Sequence, residues 1–207
     1  MMPSPDMSFP VPLIHISETN STNSYLQTLC AKQQGVAAFT TVVADFQTSG
    51  RGQRGNSWES EPKKNLLFSF VLFPDFLEAR RQFLISQIVS LAIKEELDSY
   101  ADDFSIKWPN DVVVSRKKIC GILTEMGLEN GKIREVIIGI GINVNLEEIQ
   151  DDLKDKATSL YLETGKKYDR NRVIGLIMEK FEKNYEKFVK TCDLSLMLDD
   201  YNAMLAN

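Results

Sequence analysis

Two residue types that many catalytic and metal sites need are scarce in this sequence. His15 is the only histidine, so a Ser–His or Cys–His catalytic pair would have to use that one residue, which lies in a strand pattern near the N-terminus. Cys30, Cys120 and Cys192 are far apart and lack metal-ligand spacing, which argues against a zinc site and a disulfide framework. We therefore expect a cytoplasmic protein without a protein-held metal.

Long apolar runs and several nucleotide or nucleophile motifs are also missing. No stretch approaches the ~20 apolar residues that cross a bilayer, and residues 1–12 have neither the cationic head nor the apolar segment of a signal peptide. A phosphate-binding P-loop and a G-x-S-x-G nucleophile turn are absent as well. We expect any chemistry here to depend mainly on positioning and positive charge.

The composition of the chain favours one large folded domain. Of its 207 residues, 43% are apolar and 9% are aromatic, which is enough for a sizeable core. We expect residues 1–11 to form a flexible tail and residues 12–207 to form a single domain. The net charge of −5 argues against a general nucleic-acid binder, because such proteins usually have a basic balance.

Hydrophobic patterning predicts an α+β fold in which helices flank one central, mixed and mostly antiparallel sheet. Residues 78–99 and 170–191 repeat apolar side chains with helical spacing, and N-cap residues at 17–23 precede a further helix. A weaker helical pattern closes the chain. Strands are predicted at 11–16, 39–46, 66–73, 104–107, 112–114, 119–126 and 133–144. Turn residues at 115–118 and 129–132 predict hairpins between the last three strands.

The second predicted strand leads into a loop with three glycines and two arginines in six residues, Gly50-Arg51-Gly52-Gln53-Arg54-Gly55. Glycine lets the backbone turn its N–H groups toward a ligand, and arginine stays charged and forks onto carboxylate or phosphate oxygens. The loop therefore suits the binding of an anion. A solvated turn whose arginines point at water is an equally good interpretation of the loop alone.

A second unusual stretch, Lys107-Trp108-Pro109-Asn110-Asp111, ends a short predicted strand. Proline favours a turn there, and a lysine fixed at such a turn can hold its ammonium at a set point in a pocket. The alternatives are that Lys107 extends into solvent, that Trp108 belongs to the core, and that Asn110 and Asp111 serve only the turn.

Glycines within two later strands indicate a close approach to the backbone. Gly121 lies within a predicted strand, and Gly139 and Gly141 alternate with isoleucines, so one face of the sheet loses its side chains. Such a floor accommodates a planar ring or an extended chain, and it equally suits close packing of a helix. The sequence leaves these alternatives open, and it also leaves open whether Glu125 faces solvent.

Taken in order, these motifs resemble the signature series of biotin protein ligases over about residues 13–190. The series comprises Ser21-Thr22-Asn23, Gln47 with Gly50–Gly55 and Trp58, Lys107–Asp111, Lys118 with Gly121-Ile122-Leu123 and Glu125, and Gly139–Val144. The resemblance implies a biotin/lipoate-ligase-like catalytic domain that makes biotinyl-5′-AMP from biotin and Mg-ATP. It also implies transfer of biotin to one lysine of a carboxylase's biotin carboxyl carrier domain.

The chemistry of that reaction suits these residue types. The carboxylate of biotin must attack the α-phosphorus of ATP, and because both partners are anionic the reaction needs preorganised cations and N–H donors. Arg51, Arg54 and Lys107 are suitable cations, and the glycine loop adds backbone donors. Mg²⁺ is expected to travel with the triphosphate, and the acceptor lysine itself is the nucleophile of the second step.

Positions that match the family's motifs receive roles from the resemblance. Lys107 is expected to lie between the carboxylate and the α-phosphate, together with Arg51, and we add the hypothesis that Asp111 helps to deprotonate the acceptor lysine. The expected biotin contacts are Ser21, Thr22, Asn23, Gln47, Arg51, Gly52, Gln53 and Lys107. The expected nucleotide contacts are Arg51, Arg54, Trp58, Asn110, Lys118 and Asn143.

The chain departs from the family pattern in two ways. Gln53 stands where many relatives carry arginine, so the loop has one cation fewer. The family usually adds a small C-terminal barrel, and this chain ends after a helical pattern, so we expect nucleotide contacts from such a barrel to be missing. Residues 1–12 are too few for a helix-turn-helix, and we therefore expect no DNA binding.

Two other functions remain as alternatives, namely a lipoate-type protein ligase and a non-catalytic module that binds biotin or nucleotide. The glycine–arginine loop favours biotin, and the presence of both Lys107 and Arg51 argues against an idle module. The expected partners are biotin, ATP and a carrier domain. No membrane partner is expected, and formation of a homodimer is left open.

Overall fold

Seven strands form one sheet in the computed structural model, which describes residues 12–32 and 35–206. The strands are β1 (Leu13–Thr19), β2 (Thr41–Gln47), β3 (Leu66–Leu72), β4 (Phe104–Lys107), β5 (Asp111–Val114), β6 (Lys117–Glu129) and β7 (Lys132–Ile142). The helices are α1 (Thr22–Lys32), α2 (Phe83–Leu97), α3 (Leu160–Thr164), α4 (Arg170–Thr191) and α5 (Leu198–Ala203). The tail expected at residues 1–11, together with the start of the strand predicted at 11–16, lies outside the described residues.

The sheet is mixed and mostly antiparallel, as the patterning predicts. Its strand order is β1-β2-β3-β7-β6-β5-β4, in which β1 and β2 pair in parallel and the other neighbours pair antiparallel. Ser115 and Arg116 (φ 49° and 66°) join β5 to β6, and Asn130 and Gly131 (φ 51° and 78°) join β6 to β7. Two consecutive residues with positive φ form the tight hairpin turn that matches the twist of the strands.

One face of the sheet carries the main core beneath α2 and α4. The apolar stripe of α4 is buried at Val173, Ile177 and Phe181, which is why a helix with an otherwise charged surface forms there. The Phe181 ring lies 4.8 Å from the Phe70 ring of β3, measured between centroids. The helix predicted at 170–191 is confirmed with the same bounds.

The opposite face is only partly covered by a helix. Helix α1 packs on β2, β3 and β7, and Leu26 is buried there in one apolar cluster with Val42, Val71 and Ile137. Residues 50–58 cover β6 and β7 next to α1. The candidate site lies between α1 and this segment.

Two differences from the predicted elements have local causes. Helix α2 begins at Phe83 rather than at residue 78, because residues 79–81 form a separate 3₁₀ turn. The sequence patterns do not predict the short helix α3, whose first turn is capped by the Ser159 hydroxyl and whose end is a left-handed Gly165 (φ 70°). No helix in the described part of the chain combines the length and apolar character needed to span a bilayer.

Candidate functional site

The floor of the candidate site is the glycine-bearing face of β6 and β7. The side chain of Asn23, at the start of α1, lies directly on Gly139. The Trp58 indole lies on the other two glycines, because an added Cβ would come within 2.8 Å of its Cζ3 atom at Gly121 and within 2.7 Å of its Nε1 atom at Gly141. Both interpretations of the floor are therefore realised, since it receives the end of a helix and a planar ring, and that ring belongs to the protein.

Residues 50–58 form a short hairpin, called the 50–58 hairpin below. The Trp58 N–H donates to the Gly50 carbonyl (2.9 Å), and the Gly52 N–H donates to the Asn56 carbonyl (2.7 Å). Its tip is a 3₁₀ turn in which Arg54 (φ 56°) and Gly55 (φ 81°) adopt positive φ. The loop thus has a defined backbone. Both of its arginines are exposed, and Arg51 donates to Glu125 of the sheet.

A chain of hydrogen bonds runs along one end of the pocket. The Thr22 N–H donates to Gln47 Oε1 (2.7 Å), the hydroxyls of Thr22 and Ser69 lie 2.6 Å apart, and the Ser69 hydroxyl donates to Asn23 Oδ1 (2.5 Å). The Thr22 hydroxyl also donates to Gln47 Oε1 (3.1 Å), so the two hydroxyl protons of Thr22 and Ser69 are shared among three contacts. Thr22, Asn23 and Ser69 are all buried. This end of the pocket is therefore neutral and hydrogen-bonded within itself.

The chain continues from Asn23 to an ion pair at the other end of the pocket. Asn23 Nδ2 donates to Glu125 Oε2 (2.7 Å), and Arg51 donates to both carboxylate oxygens of Glu125 (2.8 Å each). Two parallel charge-assisted hydrogen bonds of this kind give a strong and directional contact. They attach the 50–58 hairpin to strand β6.

A second ion pair lies beside the Trp58 ring. Lys118 Nζ lies 2.8 Å from Asp111 Oδ1 and 5.5 Å from the centroid of the Trp58 ring, which is within the range of a cation–π contact. Trp58 Nε1 is itself buried and has no hydrogen-bond partner among the described residues. The two cations at the pocket, Arg51 and Lys118, are each paired with a carboxylate on the same face of the sheet.

Most of the residues predicted for the site line this pocket. They are Ser21, Thr22, Asn23, Gln47, Arg51, Gly52, Gln53, Trp58, Asn110 and Lys118. Asn110 also donates from Nδ2 to the Ile122 carbonyl (2.9 Å), which fixes the β4–β5 turn to β6. Four predicted residues, Lys107, Asp111, Arg54 and Asn143, are not among the residues that line it.

Lys107 is the most important of these four. It lies at the exposed end of β4, opposite Asp111, which in turn is opposite Gly121. Asp111 therefore lies between Lys107 and the glycine floor, on the same face of the sheet. A bulge between Val112 and Val113 shifts the register and turns Lys118 toward that face. Among the described residues, the lysine that lines the pocket is Lys118, whereas Lys107 lies outside it.

Two other residues of the sequence motifs lie outside this pocket. The Asn143 amide is buried and engaged within the protein, since it accepts from Asn65 Nδ2 (3.0 Å) and donates to the Thr158 carbonyl (3.0 Å). It lines a neighbouring, wider cleft on the far side of Trp58, together with Glu59. Trp108 is not a core residue, because 65% of it is exposed.

Two residues of the site were not assigned a role from the sequence. Ser69 is the one polar side chain in the buried strand Leu66–Leu72, and a lone hydroxyl in such a run indicates a buried hydrogen-bond partner. Glu125 alternates along β6 with Gly121 and Leu123, so the period of two places it on the glycine face. The sequence pattern therefore marks both residues, but their hydrogen-bond partners come from distant segments of the chain.

Comparison with known proteins agrees with this geometry. Residues 16–143 match the model of the Biotin/lipoate A/B protein ligase family, so the chain belongs to that family. The biotin protein ligase from Aquifex aeolicus, solved in complex with biotin and ATP, superposes with a TM-score of 0.81 and 35% identity, covering 94% of this chain and 78% of that chain. The predicted fold is thereby confirmed.

Curated relatives are similar over most of this chain. The bifunctional ligase/repressor BirA of Bacillus subtilis is 41% identical over 153 residues, which are 72% of this chain and 47% of that protein. The biotin–[acetyl-CoA-carboxylase] ligase of Mycobacterium tuberculosis is 28% identical over 175 residues, 81% of this chain and 61% of that protein. The chain spans about half the length of the first of these relatives.

Proposed function

We propose that this protein is an ATP-dependent biotin ligase that forms biotinyl-5′-AMP and then transfers biotin to a lysine of a biotin carboxyl carrier domain. The observation that carries the proposal is the single pocket that joins a neutral hydrogen-bonding end to an end with two cations, across a floor of glycines. Biotin has the same division, with a neutral ureido head and an acid group at the end of an apolar chain.

The neutral end suits the ureido head. Its carbonyl needs donors and its two N–H groups need acceptors, and Ser21, Thr22, Asn23 and Gln47 present both kinds of group around the buried Ser69. Because these groups are already oriented by one another, binding costs little further ordering. Because the Trp58 indole rests directly on Gly121 and Gly141, the apolar chain of biotin would run along the glycine floor after this ring has moved aside.

The charged end suits the reacting groups. The biotin carboxylate attacks the α-phosphorus of ATP, pyrophosphate leaves, and negative charge grows on the phosphoryl oxygens. Arg51 uses two of its five N–H donors on Glu125 and keeps three for the substrates. We propose that Lys118, rather than Lys107, provides the ammonium between the carboxylate and the α-phosphate, since Lys118 lines the pocket.

Magnesium enters this proposal with the nucleotide. The described residues contain no group of three or more acidic, histidine or cysteine side chains arranged to hold a metal ion. The charged residues that line the cleft beyond Trp58 are all acidic, Glu59, Glu61 and Glu148. A bare triphosphate would be repelled there, and Mg²⁺ bound to the nucleotide would reduce that repulsion. Arg54 and Asn143 remain proposed nucleotide contacts. Because neither residue lines the pocket, each would contact the nucleotide after a local rearrangement.

In the second step the amine of the acceptor lysine attacks the carbonyl carbon of the mixed anhydride, and AMP leaves. The 50–58 hairpin covers the pocket, which protects the anhydride from water. Asp111 remains our candidate for removing the amine's proton, although its carboxylate pairs with Lys118 in the absence of ligands. The acidic cleft beside Trp58 carries the charge that suits approach of an ammonium group.

The remaining expectations on partners and location are part of the proposal. The net charge of −5 supports small-molecule and carrier-domain partners over DNA, and the three unpaired cysteines support a reducing cytoplasm. A homodimer remains an option that sedimentation of the purified protein decides.

Pyrophosphate release from Mg-ATP tests the proposal. We expect release that depends on added biotin and not on lipoate, followed by incorporation of label into a carrier domain. Release that depends on lipoate instead would identify the lipoate branch of the family. Binding of biotin without any release of pyrophosphate would leave only a binding module, and the proposed activity would be wrong.

A further inference from the structure

Glu125 connects three separate elements of the structure through one carboxylate. It lies in the middle of β6 opposite Ile137 of β7, it accepts two hydrogen bonds from Arg51 of the 50–58 hairpin, and it accepts one from Asn23 of α1. At Glu125 the strand pairs with β7, and its first part, residues 117–121, pairs with β5, so the carboxylate extends from a strand that is fixed in the sheet. The hairpin and the helix are therefore both hydrogen-bonded to the same carboxylate of β6.

Among the described residues, the side-chain hydrogen bonds that join the hairpin to the sheet are those from Arg51 to Glu125. A bidentate pair fixes the plane of the guanidinium as well as its position, and the three remaining N–H groups then point in set directions. Arg51 has a long side chain that is 41% exposed. Without the contact to Glu125, such a side chain would sample many rotamers.

Resting on the function proposed above, we propose that Glu125 is a positioning residue that holds Arg51 ready for the acid group of biotin and the α-phosphate, and thereby keeps the 50–58 hairpin closed. Glu125 acts through Arg51 and does not contact the substrate. Both of its oxygens are occupied by protein donors, and a carboxylate facing two anionic substrates would oppose their binding.

A double-mutant cycle on adenylate retention tests this inference. The proteins are wild type, Glu125→Gln, Arg51→Ala and the double variant, and the measurement is the rate at which bound biotinyl-5′-AMP is lost. Glutamine keeps the size of the side chain and an acceptor for Asn23. Its NH₂ group, however, would face one N–H donor of Arg51 in place of an acceptor oxygen. Glu129→Gln is the matched control, because it removes the same charge from an exposed position of the same strand.

We expect Glu125→Gln to accelerate loss of the adenylate roughly ten-fold, the loss expected for a charge-assisted hydrogen bond. In the Arg51→Ala background the same change should have less than about a two-fold effect, because the residue through which it acts is gone. The inference would be overturned if the effects of the two changes on the rate of adenylate loss multiply in the double variant. It would also be overturned if Glu125→Gln loses the adenylate as slowly as the Glu129→Gln control.

A second measurement needs no substrate and separates this inference from the proposed function. Hydrogen exchange at the hairpin amides of Gly52 and Trp58, both hydrogen-bonded within the hairpin, should be faster in Glu125→Gln than in the control at an equal midpoint of thermal unfolding. If wild type makes no adenylate but the exchange differs, the proposed function fails while the anchoring role stands. Equal exchange in the two variants would remove the anchoring role itself.

Discussion

The two ends of the pocket are built in opposite ways. At the neutral end Thr22, Asn23 and Ser69 are at most 3% exposed, and each is hydrogen-bonded to the next. At the charged end the side chains of Arg51 and Lys118 are 41% and 37% exposed, and they extend from a hairpin and from the start of a strand. The neutral end is preformed for an uncharged head group, whereas the charged end presents two partly exposed cations that are each paired with a carboxylate.

This difference separates recognition from chemistry in the molecule. A buried network keeps one geometry, because every unsatisfied group in it costs free energy. The partly exposed pair of Lys118 and Asp111 contributes little to stability, so Lys118 can turn toward a substrate at small cost, whereas Arg51 stays paired with Glu125 and offers its other N–H groups. Changes at the neutral end should therefore alter affinity and stability together, and changes at the charged end should alter mainly rate.

The largest effect is expected at Lys118. Lys118→Ala should lower the rate of biotin-dependent pyrophosphate release by about a hundred-fold or more, the loss typical of removing one group that stabilises transition-state charge. Lys107→Ala provides the matched comparison and should lower the same rate by less than about three-fold. The reverse order would support the role that the family resemblance implies for Lys107 and would contradict the role proposed for Lys118.

A change in the floor between the two ends should have the next largest effect. Gly141→Ala places a methyl group against the Trp58 indole, and such overpacking costs about 1–3 kcal/mol. We expect a lower unfolding free energy and biotin binding weakened by about ten-fold. Gly175→Ala in α4, where an added Cβ meets nothing within 4 Å, should be neutral or stabilising.

Fluorescence reports where the indole goes. In a Trp108→Phe background Trp58 is the only tryptophan, so Gly141→Ala should change the emission of the ligand-free protein. An unchanged emission spectrum combined with unchanged biotin affinity would show that Trp58 does not rest on this floor.

A change at Ser69 addresses the neutral end directly. Ser69→Ala leaves the Asn23 carbonyl and the Thr22 hydroxyl without their buried partner, and we expect it to cost about 1–3 kcal/mol of unfolding free energy together with a weaker affinity for biotin. Ser17→Ala, at an exposed position of β1, is the control. A loss of turnover rate at unchanged affinity and stability would contradict the division between the two ends.

The smallest effect is expected at Asp45 of β2, the strand that carries Gln47, and it concerns the pH dependence of stability. Burial opposes ionisation of Asp45, but the hydrogen bond and charge of Arg170 outweigh it and hold the pKa of Asp45 below its usual value. A lowered pKa means that the stabilisation is present above the unfolded value near 3.8 and is lost as the pH falls through the folded value. Asp45→Asn should remove about 1 kcal/mol at neutral pH and flatten the acid side of the stability curve. An identical curve for variant and wild type would contradict this.

The fold was more predictable than the site, for a physical reason. The strand 104–107, the helix 170–191 and the Asn130–Gly131 turn each depend on periodicity or on backbone preference, which are local properties. The glycine floor was also visible as two glycines alternating with isoleucine, because the absence of side chains on one face is again local. What lies on the floor was not visible, since Trp58 and Asn23 reach it from distant segments.

The placement of the lysines shows the same limit. Lys107 ends one strand and Lys118 lies at the start of another, each next to a turn. No local feature of the sequence distinguishes the two lysines. The bulge between Val112 and Val113 decides that Lys118 faces the pocket, and the pairing of Arg51 with Glu125 over 74 positions of sequence decides how that arginine is held. Register and long-range pairing arise from the packing of the whole sheet, so motifs alone do not fix them.

The central claim is that one pocket brings the acid of biotin and the α-phosphate of a nucleotide together. Its most direct test is the mass of the small molecule extracted from the protein after incubation with biotin and Mg-ATP. The account predicts biotinyl-5′-AMP in an amount close to one molecule per chain, strongly reduced for Lys118→Ala. Recovery of only unreacted biotin and ATP from the wild-type protein would contradict it.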